Sequence, residues 1–364
     1  MRLSTLFRSV FLATAATWAA ALPESPRAHP EDGAAAAVPR IIGGAPVSDN
    51  SLGFTARIVA RPLFDTTLCT GSLIAPNVVL TAAHCLTYVG NIKFFGVPLS
   101  ITFGYSSTSP GQTYNSTKYY IHRGYDTELA HHDIGVIILP TNVPADVATP
   151  VKIYTGGYNE ETVFTVAGYG VTKDGSTKPA DELMQAELKI GDKVFCEHSY
   201  PMWDIATQIC LARNDGRDTC VGDSGGPAVV HDEDGKIALL GITSFGAGAQ
   251  LRNPKCGADN VAGYYTDASE YISWIASATD LKPAKFTTAN STGNSATRPY
   301  NGDTTNSYFS QYMELLEASS LEYLDVEETT AAPVVNGANI GHSLLPSLGT
   351  GVGLAVVSLL SVVV

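Results

Sequence analysis

The chain has 364 residues, 22 Lys and Arg against 35 Asp and Glu for a formal net charge of −13, and 45% hydrophobic residues. That apolar share is too high for a wholly disordered protein, and the acidic balance argues against nucleic acid as a partner, because phosphate binding needs a basic face. The length allows one large domain or two modest ones with tails; the six cysteines are too few for a small disulfide scaffold but, being even in number, can all pair in an oxidising compartment.

The chain opens on Met1 and Arg2, carries its last early charge at Arg8, and then runs mostly apolar from Val10 to Leu22, closed by Ala19, Ala20 and Ala21. A basic start, an apolar segment shorter than a membrane span and a small-residue cut site predict a secretory signal peptide over residues 1–21. Residues 22–40, rich in Ala and Pro with no periodic apolar pattern, read as a removable propeptide. Export makes disulfides the default reading of the cysteines. It also makes Asn115-Ser116-Thr117 and Asn290-Ser291-Thr292 usable glycosylation sequons, with Asn115 and Asn290 as acceptors.

From Ile41 to about Asp280, short apolar runs alternate with Gly, Pro, Asn and Asp. Val78-Val79-Leu80, Ile134 to Leu139, Val163 to Ala167 and Ile237 to Ile242 are the clearest strands, and their close spacing predicts an all-β barrel or sandwich. One segment differs: Asp267 and Glu270 frame a helix start, with Tyr271, Ile272, Ile275 and Ala276 at helical spacing. Residues 281–336 turn to Thr, Asn and Ser, with seven acidic residues between Asp303 and Glu328, and predict a flexible stalk. The small residues Asn336-Gly337-Ala338, a short spacer and an uncharged apolar end together predict a glycosylphosphatidylinositol (GPI) attachment signal over 337–364, with Asn336 as the attachment site and the cell surface or cell wall as destination.

Three segments carry the chemistry: Leu80-Thr81-Ala82-Ala83-His84-Cys85, His132-Asp133-Ile134-Gly135-Val136, and Asp218-Thr219-Cys220-Val221-Gly222-Asp223-Ser224-Gly225-Gly226-Pro227. Singly, each reads as well as a surface histidine, a turn aspartate and a tight glycine loop. Together they supply a base, an orienting carboxylate and a hydroxyl nucleophile in separate loops of one β domain. A serine hydroxyl needs an adjacent base to take its proton, and that base must be held in one tautomer. His131 and His132 are rival bases beside Asp133.

These three motifs, in this order, resemble the trypsin-like (chymotrypsin-fold) serine proteases over Ile41 to about Asp280. The resemblance implies two six-stranded antiparallel β-barrels with the active site between them and a short C-terminal helix. It casts Ser224 as nucleophile, His84 as general base, Asp133 as its orienting carboxylate, and the N–H groups of Gly222 and Ser224 as the oxyanion hole. It places Asp218 at the base of a pocket for Arg or Lys, with Gly246 and Gly263 as small wall positions and Ser244 at the entrance. Arg40 before Ile41-Ile42-Gly43-Gly44 resembles an activation junction, at which a freed Ile41 ammonium would insert beside Asp223. The family's disulfides match Cys69 with Cys85 and Cys196 with Cys210; Cys220 with Cys256 requires a loop longer than the family's. Thr70, where the family usually has Gly, and Phe245, where it usually has Trp, are departures near the cleft.

Between Cys85 and Tyr125 there is no Asp or Glu, so the calcium loop of many trypsins has no ligands here, and no zinc spacing occurs; no cofactor or metal is expected. The partners implied are polypeptides with Arg or Lys before the cut bond, protein inhibitors, and the membrane through the GPI anchor. The alternative is a catalytically silent homologue serving as a surface recognition or adhesion module, against which stands the presence of all three catalytic side chains.

Overall fold

A computed structural model of the chain describes residues 41–62, 66–87, 97–212, 216–248 and 255–288. The signal peptide, the propeptide with Arg40, Asn290, Asn336, the stalk beyond residue 288 and the GPI signal lie outside the described residues.

After a two-residue strand β1 (Ala45–Pro46), the first sheet is built from β2 (Thr55–Ala60), β3 (Thr67–Ala75), β4 (Val78–Thr81), β5 (Leu99–Phe103), β6 (Gln112–Ser116), β7 (Tyr119–Ile121) and β8 (Gly135–Ile138), in the order β6-β5-β2-β3-β4-β8-β7. It curls into a half-barrel whose two edges, β6 and β7, are consecutive in the chain and separated only by Thr117 and Lys118. The bend between them is held by the Ser116 hydroxyl, which donates to Ile138 O at 2.6 Å, and by the Ile138 N–H, which donates to Lys118 O at 2.8 Å. The expected sixth strand is thus one bent segment that faces β5 with its first half and β8 with its second.

The second sheet uses β9 (Lys152–Ile153), β10 (Val163–Gly168), β11 (Met184–Ile190), β12 (Gln208–Ala212), β13 (Pro227–His231), β14 (Ile237–Gly248) and β15 (Val261–Asp267). The ladder β11-β10-β13-β14-β15-β12 closes on itself because β11 also pairs β12, giving a six-stranded barrel, with β1 added to β11 and β9 running parallel to β14. Closure leaves the barrel no unpaired edge. The main core is continuous between the two sheets: Leu73, Val79, Ile101 and Ile137 of the first pack in one cluster with Ala167, Val229, Leu239 and Ile242 of the second.

Two α-helices lie among the described residues. The first, α1 (Lys193–Ser199), carries no clear signal in the sequence; Asp192 caps it by accepting the Phe195 N–H at 3.1 Å, and Cys196 ties it to β12 through Cys210. The second, α2 (Ile272–Thr279), lies where the helical spacing places one, but Asp267 caps a preceding 3₁₀ turn, Ala268–Tyr271, and the α-helix begins only after it. It ends on Asp280 in the left-handed region (φ 57°).

The boundary at Asp280 needs correction. Residues 281–288, assigned above to the stalk, fold back onto the barrel: Phe286 is completely buried, its carbonyl accepts the Ile153 N–H at 2.7 Å, and the Thr288 N–H donates to Ile153 O at 2.9 Å. Burying one Phe side chain stabilises by about 1.5–3 kcal/mol, enough to hold a short polar segment.

Candidate active site

The site lies where loops of the two sheets meet. His84 opens a 3₁₀ turn (His84–Leu86) directly after β4. Ala82 and Ala83 before it are fully buried, and the Cys69–Cys85 disulfide fastens the turn to β3. Asp133 ends the loop before β8, in which the non-glycine residues Ala130 and His132 both adopt positive φ (48° and 52°). Such backbone costs about 1–3 kcal/mol per residue and persists only where the surroundings fix it. Here it turns Asp133 inward. One carboxylate oxygen accepts the His84 backbone N–H at 3.0 Å; the other pairs with His84 Nδ1 at 2.7 Å and accepts the Ser244 hydroxyl at 2.5 Å. The Asp133 carbonyl accepts the Thr266 hydroxyl at 2.9 Å. Burial opposes ionisation of Asp133, but the adjacent His84 imidazole and the hydrogen bonds from His84 and Ser244 outweigh it and hold the carboxyl below its ordinary value.

Ser224 sits in the loop between Cys220 and β13 and is 1% exposed. Gly222 (φ 97°) and Gly225 (φ 77°) shape this loop. A Cβ on Gly225 would stand 2.4 Å from Thr70 O as well as against the Thr81 hydroxyl, so only glycine fits. The N–H groups of Asp223, Gly225 and Gly226 donate to Cys220 O, Thr243 O and Asp223 O, whereas those of Gly222 and Ser224 have no acceptor among the described residues. The Ser224 carbonyl oxygen lies 3.5 Å from Cys85 Sγ, which brings the serine beside the His84 turn. The bond from the Ser224 hydroxyl to His84 is not made: His84 Nε2 and Ser224 Oγ are both buried, and neither has a hydrogen-bond partner among the described residues. Such bonds are often long in unliganded sites and tighten when substrate arrives.

The rival bases are engaged elsewhere. His131 Nε2 meets Met202 O at 2.8 Å, and His132 Nδ1 meets the Tyr271 hydroxyl at 2.9 Å.

Asp218 is buried; its N–H donates to Ile42 O at 3.0 Å, and its Oδ2 accepts the Gly257 N–H at 2.8 Å. Gly246 and Gly263 stand opposite each other on β14 and β15. Ser244, the residue expected at a pocket entrance, donates its hydroxyl to Asp133, a contact the sequence did not signal. Phe245 is buried in an aromatic cluster, stacked on Tyr264 at 4.9 Å (11°) with Tyr200 edge-on. The Cys220–Cys256 disulfide is present, as are Cys69–Cys85 and Cys196–Cys210.

Ile41 is completely buried in the apolar cluster of the second barrel, and Ile42 bridges to Asp218. The Asp223 carboxylate accepts the N–H groups of Gly170 (2.8 Å) and Cys220 (2.9 Å). Burial, aided by the Asp218 charge and only partly offset by those two hydrogen bonds, pushes its pKa up to about 7.

Among the described residues, two groupings bring donor atoms within metal-ligand distance, Cys69–His84–Cys85 and Asp174–Cys220–Cys256. Their cysteines are consumed in disulfides, which leaves each with a single usable donor.

A closed barrel and a half-barrel meeting at a buried carboxylate–imidazole pair, with a buried serine in a glycine-shaped loop beside it, define a chymotrypsin-fold protein. The chain belongs to the trypsin family, whose model, described as "Trypsin", matches residues 41–275. It is 32% identical over 250 residues to brachyurin of Leptuca pugilator, covering 67% of this chain and 100% of that one. To a trypsin-like protease of Streptomyces glaucescens it is 32% identical over 254 residues, covering 69% and 86%. Among solved structures, neuropsin, a serine protease of mouse brain, superposes with a TM-score of 0.54 at 28% identity, over 65% of this chain and 99% of that one.

Proposed function

We propose that this chain is a secreted serine endopeptidase that cleaves after Arg or Lys through an acyl-enzyme, and that it is made as a zymogen activated by a cut after Arg40. The observation that carries the reading is the 2.7 Å pairing of His84 Nδ1 with a buried, ionised Asp133. With Nδ1–H donated to the carboxylate, Nε2 is left as the basic nitrogen. It takes the Ser224 proton as Oγ attacks the scissile carbonyl. The charge that develops on the carbonyl oxygen is received by the N–H groups of Gly222 and Ser224, which have no competing acceptor among the described residues. His84 then hands its proton to the departing amine, and water repeats the cycle on the acyl-enzyme. Losing one such oxyanion donor costs about 3 kcal/mol of transition-state stabilisation.

Asp218 supports the basic preference as a buried carboxylate, and so do Gly246 and Gly263, which pair across β14 and β15 without side chains of their own. The zymogen reading rests on Asp223, a carboxyl raised by burial, for which the Ile41 ammonium freed by cleavage would supply a positive partner. Arg40 itself suits the proposed Asp218 pocket, which would allow the enzyme to activate itself. Export, glycosylation at Asn115 and Asn290, and GPI anchoring at Asn336 would place the enzyme at the cell surface, with polypeptides as substrates and protein inhibitors as partners. Asn115 is exposed on β6.

The unmade contact between Ser224 Oγ and His84 Nε2 favours a second reading, a catalytically silent surface module. Peptide-library profiling of protein cut after Arg40 separates the two. Cleavage after Arg or Lys, sharply reduced in Asp218→Ser, is the expected result. Cleavage of no peptide would support the silent module, and unchanged preference in the variant would remove the pocket assignment.

A further inference from the structure

Every polar group of Thr70, a fully buried residue of β3 in the first barrel, is spent on the loop that carries Ser224 or on its supports. Its N–H donates to Ser224 O at 2.8 Å, and its carbonyl accepts the Thr81 hydroxyl at 2.8 Å. Its hydroxyl donates to Gly222 O at 2.9 Å and accepts the Tyr169 N–H at 3.2 Å. Thr70 therefore grips the carbonyls of the two residues whose N–H groups are proposed to receive the oxyanion.

The grip on Gly222 has a geometric consequence. A peptide group is a rigid plane, so the direction of an N–H is fixed once the carbonyl of its own plane is fixed. The Val171 N–H holds Val221 O at 2.8 Å, which pins the plane carrying the Gly222 N–H. The next plane is held at both ends: the Thr70 hydroxyl donates to Gly222 O at 2.9 Å, and the Asp223 N–H of the same plane donates to Cys220 O at 2.9 Å. With the planes on both sides of its Cα held, Gly222 has neither torsion free to rotate. It is the residue most in need of such restraint, being a glycine at φ 97° with no side chain of its own to resist a flip.

We infer that the Thr70 hydroxyl is a positioning group for the oxyanion hole, acting through the Gly222–Asp223 peptide. The inference rests on the proteolytic reading above and deepens it. A glycine at position 70, as the family usually has, offers no hydroxyl, so the restraint belongs to this chain's own sequence. Thr70 touches no substrate; it acts by keeping the Gly222 N–H aimed before substrate arrives, and donors so preorganised need not reorient during the reaction.

The test uses full-length protein activated by cleavage after Arg40, comparing wild type with Thr70→Val, Thr70→Ala and Thr70→Ser. Thr70→Val keeps the shape and loses the hydroxyl; Thr70→Ala against Thr70→Ser poses the same question should valine impair folding, which thermal unfolding of each variant reports. Measured are kcat and KM on an arginyl peptide amide and the affinity for the matching peptide aldehyde, whose adduct with Ser224 places an oxygen in the hole. Loss of the hydroxyl should lower kcat about 10- to 100-fold with KM within about twofold, and weaken the aldehyde in parallel. Thr70→Ser should stay within about threefold of wild type, since it keeps the hydroxyl. Unchanged kcat in both Thr70→Val and Thr70→Ala would overturn the inference while leaving the protease intact. Equal impairment of Thr70→Ser and Thr70→Ala would also overturn it, by showing that the methyl group matters and the hydroxyl does not. Wild-type protein inactive on every substrate would instead sink the proteolytic reading, and the inference with it.

Discussion

Asp223 makes the uncut chain sensitive to pH in a direction opposite to that of a carboxylate held by a cationic or hydrogen-bonding partner, such as Asp133. Its folded pKa of about 7 stands above the ordinary value of 3.8, because burial disfavours the charged form more than the Gly170 and Cys220 N–H groups favour it. A group whose folded pKa is raised binds its proton more tightly when folded. Its contribution is complete below the unfolded pKa and is lost as pH rises through the folded one. Between pH 8 and pH 5 the two pKa values correspond to a gain of about 2–3 kcal/mol on acidification. The assay is urea unfolding of the secreted Arg40→Gln chain, which stays uncut, at several pH values across that range, with the double variant Arg40→Gln/Asp223→Asn as reference. Asp133, held below its usual value, contributes in the opposite sense, losing stability as pH falls, and cancels in the comparison. The Arg40→Gln chain should gain on acidification relative to the double variant. The wild-type chain cut after Arg40 should lose that gain, because an Ile41 ammonium beside Asp223 stabilises the carboxylate. Identical pH profiles for the two uncut chains would refute the placement of an unpaired carboxyl there.

Two further substitutions probe the same molecule. Ser244→Ala removes a 2.5 Å hydrogen bond to the Asp133 carboxylate, and kcat/KM should fall about tenfold, or ~1.4 kcal/mol, in an ester-hydrolysis assay; no change would mean that Asp133 is oriented without Ser244. Phe286→Ala empties a fully buried site and should destabilise by about 3–5 kcal/mol, lowering Tm by roughly 10 °C with activity per folded molecule kept. An unshifted Tm would return residues 281–288 to the stalk.

How much of this is legible in the sequence depends on how local each feature is. β4, β8, β10 and the first half of β14 announce themselves as short apolar runs between turn residues, and α2 by its helical spacing. His84, Asp133 and Ser224 stand out because each lies inside a short motif that resembles the family's. The supporting shell is hidden because its contacts join distant positions. Ser244 and Asp133 are 111 positions apart, and Thr70 and Gly222 are 152 apart. A serine before Phe245 and a threonine after Cys69 carry no local sign of what their hydroxyls bond. The segment 281–288 misleads for a related reason: its one large aromatic residue, Phe286, sets no periodicity against the neighbouring lysines and threonines. Helix α1 is a single disulfide-tied stretch of seven residues, too short for its pattern to rise above the surrounding chain.

Labelling with an arginyl phosphonate, located by peptide mass mapping, tests most directly whether Ser224 is activated by the His84–Asp133 pair. Protein cut after Arg40 should take up about one equivalent on Ser224, and His84→Ala should take up none. Labelling that persists at Ser224 without His84, or that bypasses Ser224 in the wild-type protein, would contradict the account.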